Sequence, residues 1–495
     1  MVFVTRSSPR CRGPSRRWAR AAASLTARSA ITRPTRAKST SDSATSATRC
    51  EMTNIALLVL DTVRKDYFDE HAPRLRELAD VEFDRCYAPS SWSVPSHASM
   101  FNGRLPSHHG VHSYNPNYAD LEVTFFNDLN HRSVGLSANG AVSESFGAEA
   151  LFDTFDSFAG NDERSFDAVS FGEVADTTGL DRYRKYVSMA RERDVLTESL
   201  RNGLYIKLNE WLTGTRVPKL GDFGATAVID RALREAAAEP FLLFANFIDA
   251  HGPMENLRIL DSDVPYAWHS RSLSAETVRE AAPETIDEYL QNYRDLYAAS
   301  VRYLDKQVAA FVERLQARTD EDTVVIVTAD HGEELRLPGE RDLGHMDFST
   351  ALLHVPFVVI GAEGPDDAGL TSLLDVGEVV RGIVEDGRVP EISRERVSAE
   401  RPGMLFFDGE DEYWTRGVRT VYEGDVRYEW DTEGRTLRYE IETSRDGDAE
   451  TVAIPEPVRD EFTVSIESVA RPTTDSDPDI DDETMRQLED LGYKV

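Results

Sequence analysis

The residues of this chain that could do chemistry lie in three short segments, far apart in the sequence. They are Asp61 at the end of one apolar run, Ser93 to His97 in a Ser- and Pro-containing stretch, and Asp330-His331 at the end of another apolar run. Two carboxylates and an imidazole can hold a divalent cation. A serine beside such a cation can act as a nucleophile. The three segments therefore predict a metal site with a nearby nucleophile.

The apolar runs that precede the two aspartates indicate buried parallel strands. Residues 55–60 and 324–329 are short, rich in Val, Ile and Leu, and apolar on both faces. In open α/β sheets, ligands bind beyond the carboxyl ends of such strands. We therefore expect Asp61, Asp330 and His331 to lie where a catalytic metal would be held.

From Met52 onwards, strand patterns alternate with helix patterns. Strands are predicted at 54–60, 133–138, 241–248, 323–329 and 355–360, and helices near 72–80, 90–102, 225–238 and 284–318. Strands separated by helices predict an α/β fold with a mostly parallel sheet and helices on both faces. After about residue 400, short alternating segments with turn signals predict a small antiparallel subdomain.

These patterns divide the chain into three parts. Residues 1–51 form a basic tail, which we interpret as disordered or as untranslated sequence before a true start at Met52. Residues 52–398 form the catalytic α/β domain, with a polar, irregular insertion at 156–222. Residues 399–495 form the antiparallel subdomain and a terminal helix at 483–491. The Ser15-Arg16-Arg17 triplet weakly resembles a twin-arginine export motif, but a cytoplasmic location is favoured.

The composition is strongly acidic and limits the partners. The formal net charge is −33, and residues 1–51 carry eleven Lys and Arg against two acids, which leaves about −42 for the rest. This charge argues against nucleic acid and anionic membranes, and it predicts a protein kept soluble in high salt. The alternative is an ordinary acidic cytosolic protein. Only Cys86 lies beyond the tail, so no disulfide framework is expected, and no apolar run reaches the ~18 to 20 residues that span a bilayer.

The segment that begins at Ser93 resembles the signature of the sulfatase family. That signature has a Cys or Ser nucleophile, then Pro, Ser and Arg two, three and four residues later, and Gly after ten. Ser93, Pro95, Ser96 and Gly103 match it, whereas His97 stands in the place of the Arg. Cys86 does not fit the register, because its proline follows after three residues.

Other family elements follow in the same order along about 440 residues. They are Asp61, followed by Thr62 where a second acid is usual, His251-Gly252-Pro253, Asp330-His331-Gly332-Glu333, Gly344-His345 where Gly-Lys is usual, Val355-Pro356-Phe357, and Leu491-Gly492-Tyr493. The chain is thus similar to the sulfatases of the alkaline phosphatase superfamily, as a salt-adapted member.

The resemblance implies an alkaline-phosphatase-like sandwich and a metal-dependent sulfuric ester hydrolase that acts on a small-molecule or glycan ester. The implied roles are nucleophile for Ser93 or a formylglycine made from it, acid and base for His251 and His345, and ligands of one divalent cation for Asp61, Asp330 and His331. Calcium suits the oxygen ligands, whereas the imidazole admits manganese or zinc. His97 in the signature and Asn139 after the strand at 133–138 are candidates for substrate binding.

Two alternatives stay open. An unmodified Ser93 would suit a phosphodiester or phosphonate hydrolase, or a phosphoglycerol-type transferase, of the same superfamily. His97 and Thr62 also leave room for an inactive relative that binds an anionic ligand. Because His97 and His345 replace Arg and Lys and are largely neutral at pH 7, we expect singly charged esters to be preferred over phosphate monoesters.

Overall fold

The computed structural model describes most of the chain after the tail. The described residues are 53–127, 129–157, 167–169, 174, 177–238, 240–272, 283–319, 322–333, 335, 348–365, 369–403 and 416–468. The tail at 1–51 and the terminal helix predicted at 483–491 lie outside these residues.

The described elements alternate between strands and helices as far as residue 386. The strands are β1 Asn54–Leu60, β2 Val81–Glu82, β3 Cys86–Tyr87, β4 Arg132–Ser137, β5 Thr154–Ser157, β6 Phe241–Phe247, β7 Thr323–Thr328, β8 His354–Val355, β9 Phe357–Ile360, β10 Thr371–Ser372, β11 Arg396–Arg401, β12 Val418–Glu423, β13 Val426–Asp431, β14 Thr436–Glu442, β15 Arg445–Asp446 and β16 Glu450–Thr451. The α-helices are α1 Lys65–His71, α2 Pro73–Leu78, α3 Ser93–Asn102, α4 Pro106–His109, α5 Gly179–Glu192, α6 Leu196–Leu212, α7 Ala225–Glu235, α8 Pro283–Gln316, α9 Thr350–Leu353, α10 Val376–Asp386 and α11 Glu456–Arg459.

A seven-stranded sheet forms the centre of the molecule. Its strand order is β2-β9-β7-β1-β6-β4-β5, and the five strands from β7 to β5 are parallel. Strands β1, β6 and β7 are buried along their whole length, as their apolar runs predict. The mostly parallel α/β architecture is therefore confirmed.

The register of the central strands places their carboxyl ends level with one another. Leu60 of β1 is opposite Phe247 of β6, and Val59 is opposite Thr328 of β7. The backbone N–H of Asp61 donates to the carbonyl oxygen of Phe247 at 2.9 Å, which continues this alignment past the end of β1. The residues that follow the three strands consequently share one edge of the sheet.

Helix α8 is the longest described helix and supports that edge. It packs against α1, α2 and α7 and against β7. Its buried residues recur at three- and four-residue steps and are Leu290, Tyr293, Leu296, Tyr297, Val301, Leu304, Val308 and Phe311. Tyr297 reaches the loop after β1.

The stretch 156–222 differs from the irregular insertion that its polarity predicts, because it contains helices α5 and α6. The usual signal of a surface helix, an apolar buried face, is weak in α6. Ser199, Asn202 and Asn209 lie on its buried side, while Leu204 and Trp211 are exposed. The sequence therefore lacks the inward-facing apolar stripe that would predict this helix.

An antiparallel sheet follows, as predicted, in the order β11-β12-β13-β14-β15, with β16 paired to β14. It belongs to the same compact unit as the central sheet. Tyr422 of β12 stacks on Tyr87 of β3 with ring centroids 3.9 Å apart. The backbone N–H of Glu400 donates to the carbonyl of Pro89 at 2.9 Å, and its carboxylate accepts from the N–H of Ser107. The C-terminal sheet therefore supports the segments on either side of α3.

Candidate active site

The structure brings Asp61, Ser93, Asp330 and His331 together at the carboxyl edge of the central sheet. Ser93 is the first residue of α3, and all four side chains are fully buried. The hydroxyl of Ser96 donates to the backbone carbonyl of Asp330 at 2.6 Å, which ties the start of α3 to the end of β7. Residues 61, 93 and 330 thus meet although they are far apart in the chain.

The hydroxyl of Ser93 faces an imidazole nitrogen. Its Oγ lies 3.1 Å from Nε2 of His331, whose Nδ1 lies 2.8 Å from the carbonyl oxygen of Gly332. A carbonyl can only accept, so Nδ1 carries the proton and Nε2 presents its lone pair. Ser93 can therefore donate a hydrogen bond to this lone pair, which a cation bound to His331 would occupy instead. A Cβ at position 332 would collide with the carbonyl oxygen of Ala351, which accounts for the glycine that follows this histidine.

The two carboxylates of this site are buried and incompletely satisfied. Among the described residues, Asp61 Oδ1 and Asp330 Oδ2 have no hydrogen-bond partner. Burial raises the pKa of Asp61 well above its usual range, and the neighbouring Asp330 raises it further. Burial also opposes ionisation of Asp330, whereas the hydrogen bond from the N–H of Thr62 at 3.1 Å favours its charged form. The pair therefore requires a positive charge to be fully ionised.

These unsatisfied groups fit a divalent cation. Asp330 Oδ2 lies 3.3 Å from His331 Nε2, and two lone pairs at that distance repel unless a proton or a cation lies between them. Carboxylate oxygens and one imidazole nitrogen suit calcium, manganese or zinc. Asp61, Asp330 and His331 thus have the donor chemistry predicted for them.

His97 lies in the same cluster but is engaged through both ring nitrogens. Donor atoms of Asp61, His97 and Asp330 all lie within 4.8 Å of one another. However, Nδ1 of His97 donates to the carbonyl of Ser93 at 2.8 Å, and Nε2 is 3.1 Å from the Nδ2 of Asn246. Burial lowers the pKa of His97, so the ring is neutral. We therefore assign it to positioning of α3 rather than to the metal, and its contact with substrate stays a prediction.

Two asparagines orient Asp61. The Nδ2 of Asn139 donates to Asp61 Oδ2 and lies 3.4 Å from Ser93 Oγ, and the Nδ2 of Asn246 donates to the same Asp61 oxygen at 3.2 Å. Both asparagines are buried. Asn139 was predicted to bind substrate, and these contacts add an orienting role. Asn246 was missed, although an Asn inside the apolar run of β6 is a signal that could have identified it.

Tyr297, which is not among the predicted site residues, holds the loop after β1. The hydroxyl of Tyr297 donates to the carbonyl of Thr62 at 2.6 Å and accepts from the N–H of Arg64 at 2.9 Å. Thr62 has a φ of 60°, which a β-branched residue rarely adopts. The clamp by Tyr297 and the hydrogen bond from Thr62 N–H to Asp330 Oδ1, 3.1 Å, hold this conformation.

The two predicted acid–base histidines have different outcomes. His251 is buried just beyond β6, its Nδ1 contacts the carbonyl of Gly252, and burial lowers its pKa to about 4. His331 and Asp330 are among its electrostatic neighbours, so it belongs to this region. In the neutral ring Nε2 is a proton acceptor. His345 lies outside the described residues.

Cys86 is a core residue, and it does not belong to the candidate site. It lies in β3, which pairs with β8 and β10, and it is fully buried. Burial raises the pKa of its thiol well above the usual range, which disfavours the nucleophilic thiolate.

Comparison with known proteins identifies the family and agrees with the fold. A family model described as Sulfatase matches residues 53–377. No curated protein matches this chain. Solved structures with a similar fold include a phosphonate monoester hydrolase from Silicibacter pomeroyi, with 16% sequence identity, a TM-score of 0.52, and coverage of 78% of this chain and 89% of that one.

Two further solved structures are similar. The phosphonate monoester hydrolase of Agrobacterium radiobacter has 15% identity, a TM-score of 0.52, and coverage of 78% and 89% of the two chains. BT1596, a 2-O GAG sulfatase, has 15% identity, a TM-score of 0.49, and coverage of 79% and 85%. Because the family model spans more than half of the sequence, this chain belongs to the sulfatase family of the alkaline phosphatase superfamily of hydrolases.

Proposed function

We propose that this protein is a metal-dependent hydrolase of sulfate esters, with a small-molecule or glycan substrate and residue 93 as the nucleophile. The observation that carries the proposal is the hydroxyl of Ser93, 3.1 Å from the imidazole of His331 and beside two buried carboxylates. A divalent cation held by Asp61, Asp330 and His331 would act as a Lewis acid toward the substrate's oxygen atoms and would lower the pKa of the nucleophile.

The side chains around Ser93 support this role. Asn139 Nδ2 lies 3.4 Å from Ser93 Oγ and fixes the direction in which the hydroxyl points. Ser93 is also the first residue of a ten-residue helix, whose N-terminal dipole favours an anionic group. His251, neutral at pH 7, can accept a proton from the water that releases the product.

Residue 93 acts either as serine or as formylglycine. The two forms are distinguished by mass, because oxidation of serine to formylglycine removes two hydrogens. We expect the intact mass of the peptide containing Ser93, from protein made in its native host, to be lower by about 2 Da if the nucleophile is formylglycine. An unmodified mass would favour the phosphodiester or phosphonate hydrolase.

The charge of the site favours singly charged esters. His97 is neutral where the family signature has an Arg, and the carboxylates of Asp61 and Asp330 add negative charge. A phosphate monoester carries nearly two negative charges and needs more fixed positive charge than a sulfate monoester. A phosphodiester is singly charged, and it is therefore the second candidate.

The test compares esters of one leaving group. We expect kcat/KM at pH 7 in molar salt to be highest for the sulfate monoester, lower for the phosphodiester and lowest for the phosphate monoester. The Ser93→Ala variant controls for contaminating hydrolases. Faster turnover of the phosphodiester would make phosphodiester hydrolysis the better-supported function. A preference for the phosphate monoester would contradict the charge argument.

A further inference from the structure

Helix α6 exposes an apolar stripe to solvent. Leu200, Leu204, Leu208 and Trp211 are 52%, 73%, 37% and 75% exposed. Their spacing of four, four and three residues places them on one side of the helix. The opposite, buried side carries Ser199, Asn202 and Asn209 beside Ile206 and Leu212, so much of the apolar surface of α6 faces away from the protein.

This stripe lies in the stretch of the described chain that is richest in exposed apolar residues. Eight of the eleven exposed large hydrophobic residues in the described part of the chain lie between Leu180 and Leu220. Soluble proteins expose single apolar side chains at many places, but a cluster marks a surface that docks on something. We call residues 177–220 the α5–α6 surface.

The α5–α6 surface is basic in a strongly acidic chain. Its solvent-accessible residues include eight Lys and Arg against five Asp and Glu, a net charge of about +3, whereas the whole chain carries −33. Lys219 is buried and pairs with Glu255 at 2.6 Å, so it is not counted. Arg201 and Lys207 lie beside the apolar stripe on α6, and Lys207 also pairs with Glu210 at 2.6 Å. Apolar side chains flanked by cations complement a surface that is anionic outside and apolar beneath.

We propose that the α5–α6 surface docks on an anionic lipid bilayer. No described helix is long and apolar enough to cross a membrane, so α6 would lie in the plane of the interface with Leu204 and Trp211 among the acyl chains. The proposal is independent of the reaction at Ser93.

This inference reverses the expectation drawn from net charge. Screening confines electrostatic interactions at the surface to ~8 Å at physiological ionic strength. The local charge of the α5–α6 surface therefore decides the interaction, and the distant acidic residues contribute little. A symmetric dimer through this surface is disfavoured, because it would place two basic patches against each other.

The test is co-sedimentation of the full chain with vesicles of phosphatidylglycerol or of phosphatidylcholine. We expect stronger binding to phosphatidylglycerol, and a loss of about tenfold or more in the partition coefficient for Leu204→Gln combined with Trp211→Gln. The matched control replaces Val123 and Ile259, which are exposed apolar residues outside this surface, by Gln and should bind as the unmodified protein does. Arg201→Gln with Lys207→Gln should reduce the preference for phosphatidylglycerol.

Two further measurements separate the outcomes. The fluorescence of Trp211 is the difference between the unmodified protein and Trp211→Phe. If the indole enters the bilayer, brominated lipids should quench this fluorescence. The proposal is overturned if the Leu204 and Trp211 variant binds as well as the Val123 and Ile259 control, or if the protein does not bind phosphatidylglycerol vesicles. A dimer mass by light scattering that is lost in the Leu204 and Trp211 variant would instead assign the surface to a second copy.

Discussion

At the residue scale, the proposed reaction depends on Ser93, and Cys86 provides a matched control. We expect Ser93→Ala to lower kcat by about a thousandfold or more, because the covalent nucleophile is lost. Cys86→Ala should retain turnover, because the thiol is buried in β3 away from the proposed chemistry. Steady-state kinetics on protein checked for folding by circular dichroism measures both. Inactivity of folded Cys86→Ala would show that the signature has been placed on the wrong residue.

We expect replacement of Asp61 to have different effects on Tm with and without metal. Asp61→Asn removes a charge that burial and Asp330 both disfavour, so the Tm of the metal-free protein should rise by about 1 to 3 °C. The same substitution removes a proposed ligand, so the increase in Tm on adding a divalent cation should disappear.

Asp305→Asn is the control for this experiment. Asp305 is buried too, but its carboxylate accepts from the backbone N–H groups of Arg74 and Leu75 at the start of α2. The control should lower Tm and keep the response to metal. An undiminished metal response in Asp61→Asn would remove this residue from the proposed ligand set.

Some of these residues could be predicted from the sequence, and others could not. Asp61 and Asp330 follow apolar runs whose strand character is local, and the rule for parallel sheets then places both at one edge. The role of His97 depends on Asn246, which is 149 residues away. A pairing of that kind is set by the three-dimensional arrangement and leaves no local pattern.

At the scale of elements, helix α8 holds the loop after β1 through the hydroxyl of Tyr297. We expect Tyr297→Phe to weaken metal affinity by about tenfold or more, because the loop at Thr62 and Arg64 loses its clamp. Tyr303→Phe is the control on the same helix, since its hydroxyl donates to Asp222 at 2.7 Å. Titration calorimetry with the metal measures both. Equal affinities would limit Tyr297 to a packing role.

The elements themselves could be predicted to different extents. The central strands were recognised because burial on both faces requires an uninterrupted apolar run, and α8 because its apolar stripe faces the core. Helix α6 was missed because its exposed face is the apolar one. Tyr297 lies inside the apolar stripe of α8, where an aromatic residue is typical of packing, so its polar contact could not be read from the sequence.

At the scale of the whole molecule, the acidic composition predicts that stability depends on salt. Repulsion among the excess carboxylates opposes the folded state, and salt screens it. We expect Tm to rise by about 5 °C or more between ~0.1 M and ~2 M KCl. A sodium sulfate series at matched ionic strength separates screening from the general stabilising effect of sulfate. A Tm that does not change with KCl would favour an ordinary acidic protein.

The register of β1 determines when the site can form during synthesis. β1 ends at Leu60, but its neighbour β7 is complete only at Thr328, about 270 residues later. At ~5 to 20 residues per second, this delay amounts to roughly 15 to 50 s. Ser96 cannot contact the carbonyl of Asp330 before then, and afterwards Ser93 is fully buried. Any enzyme that converts Ser93 to formylglycine must therefore act before the chain has folded around this site.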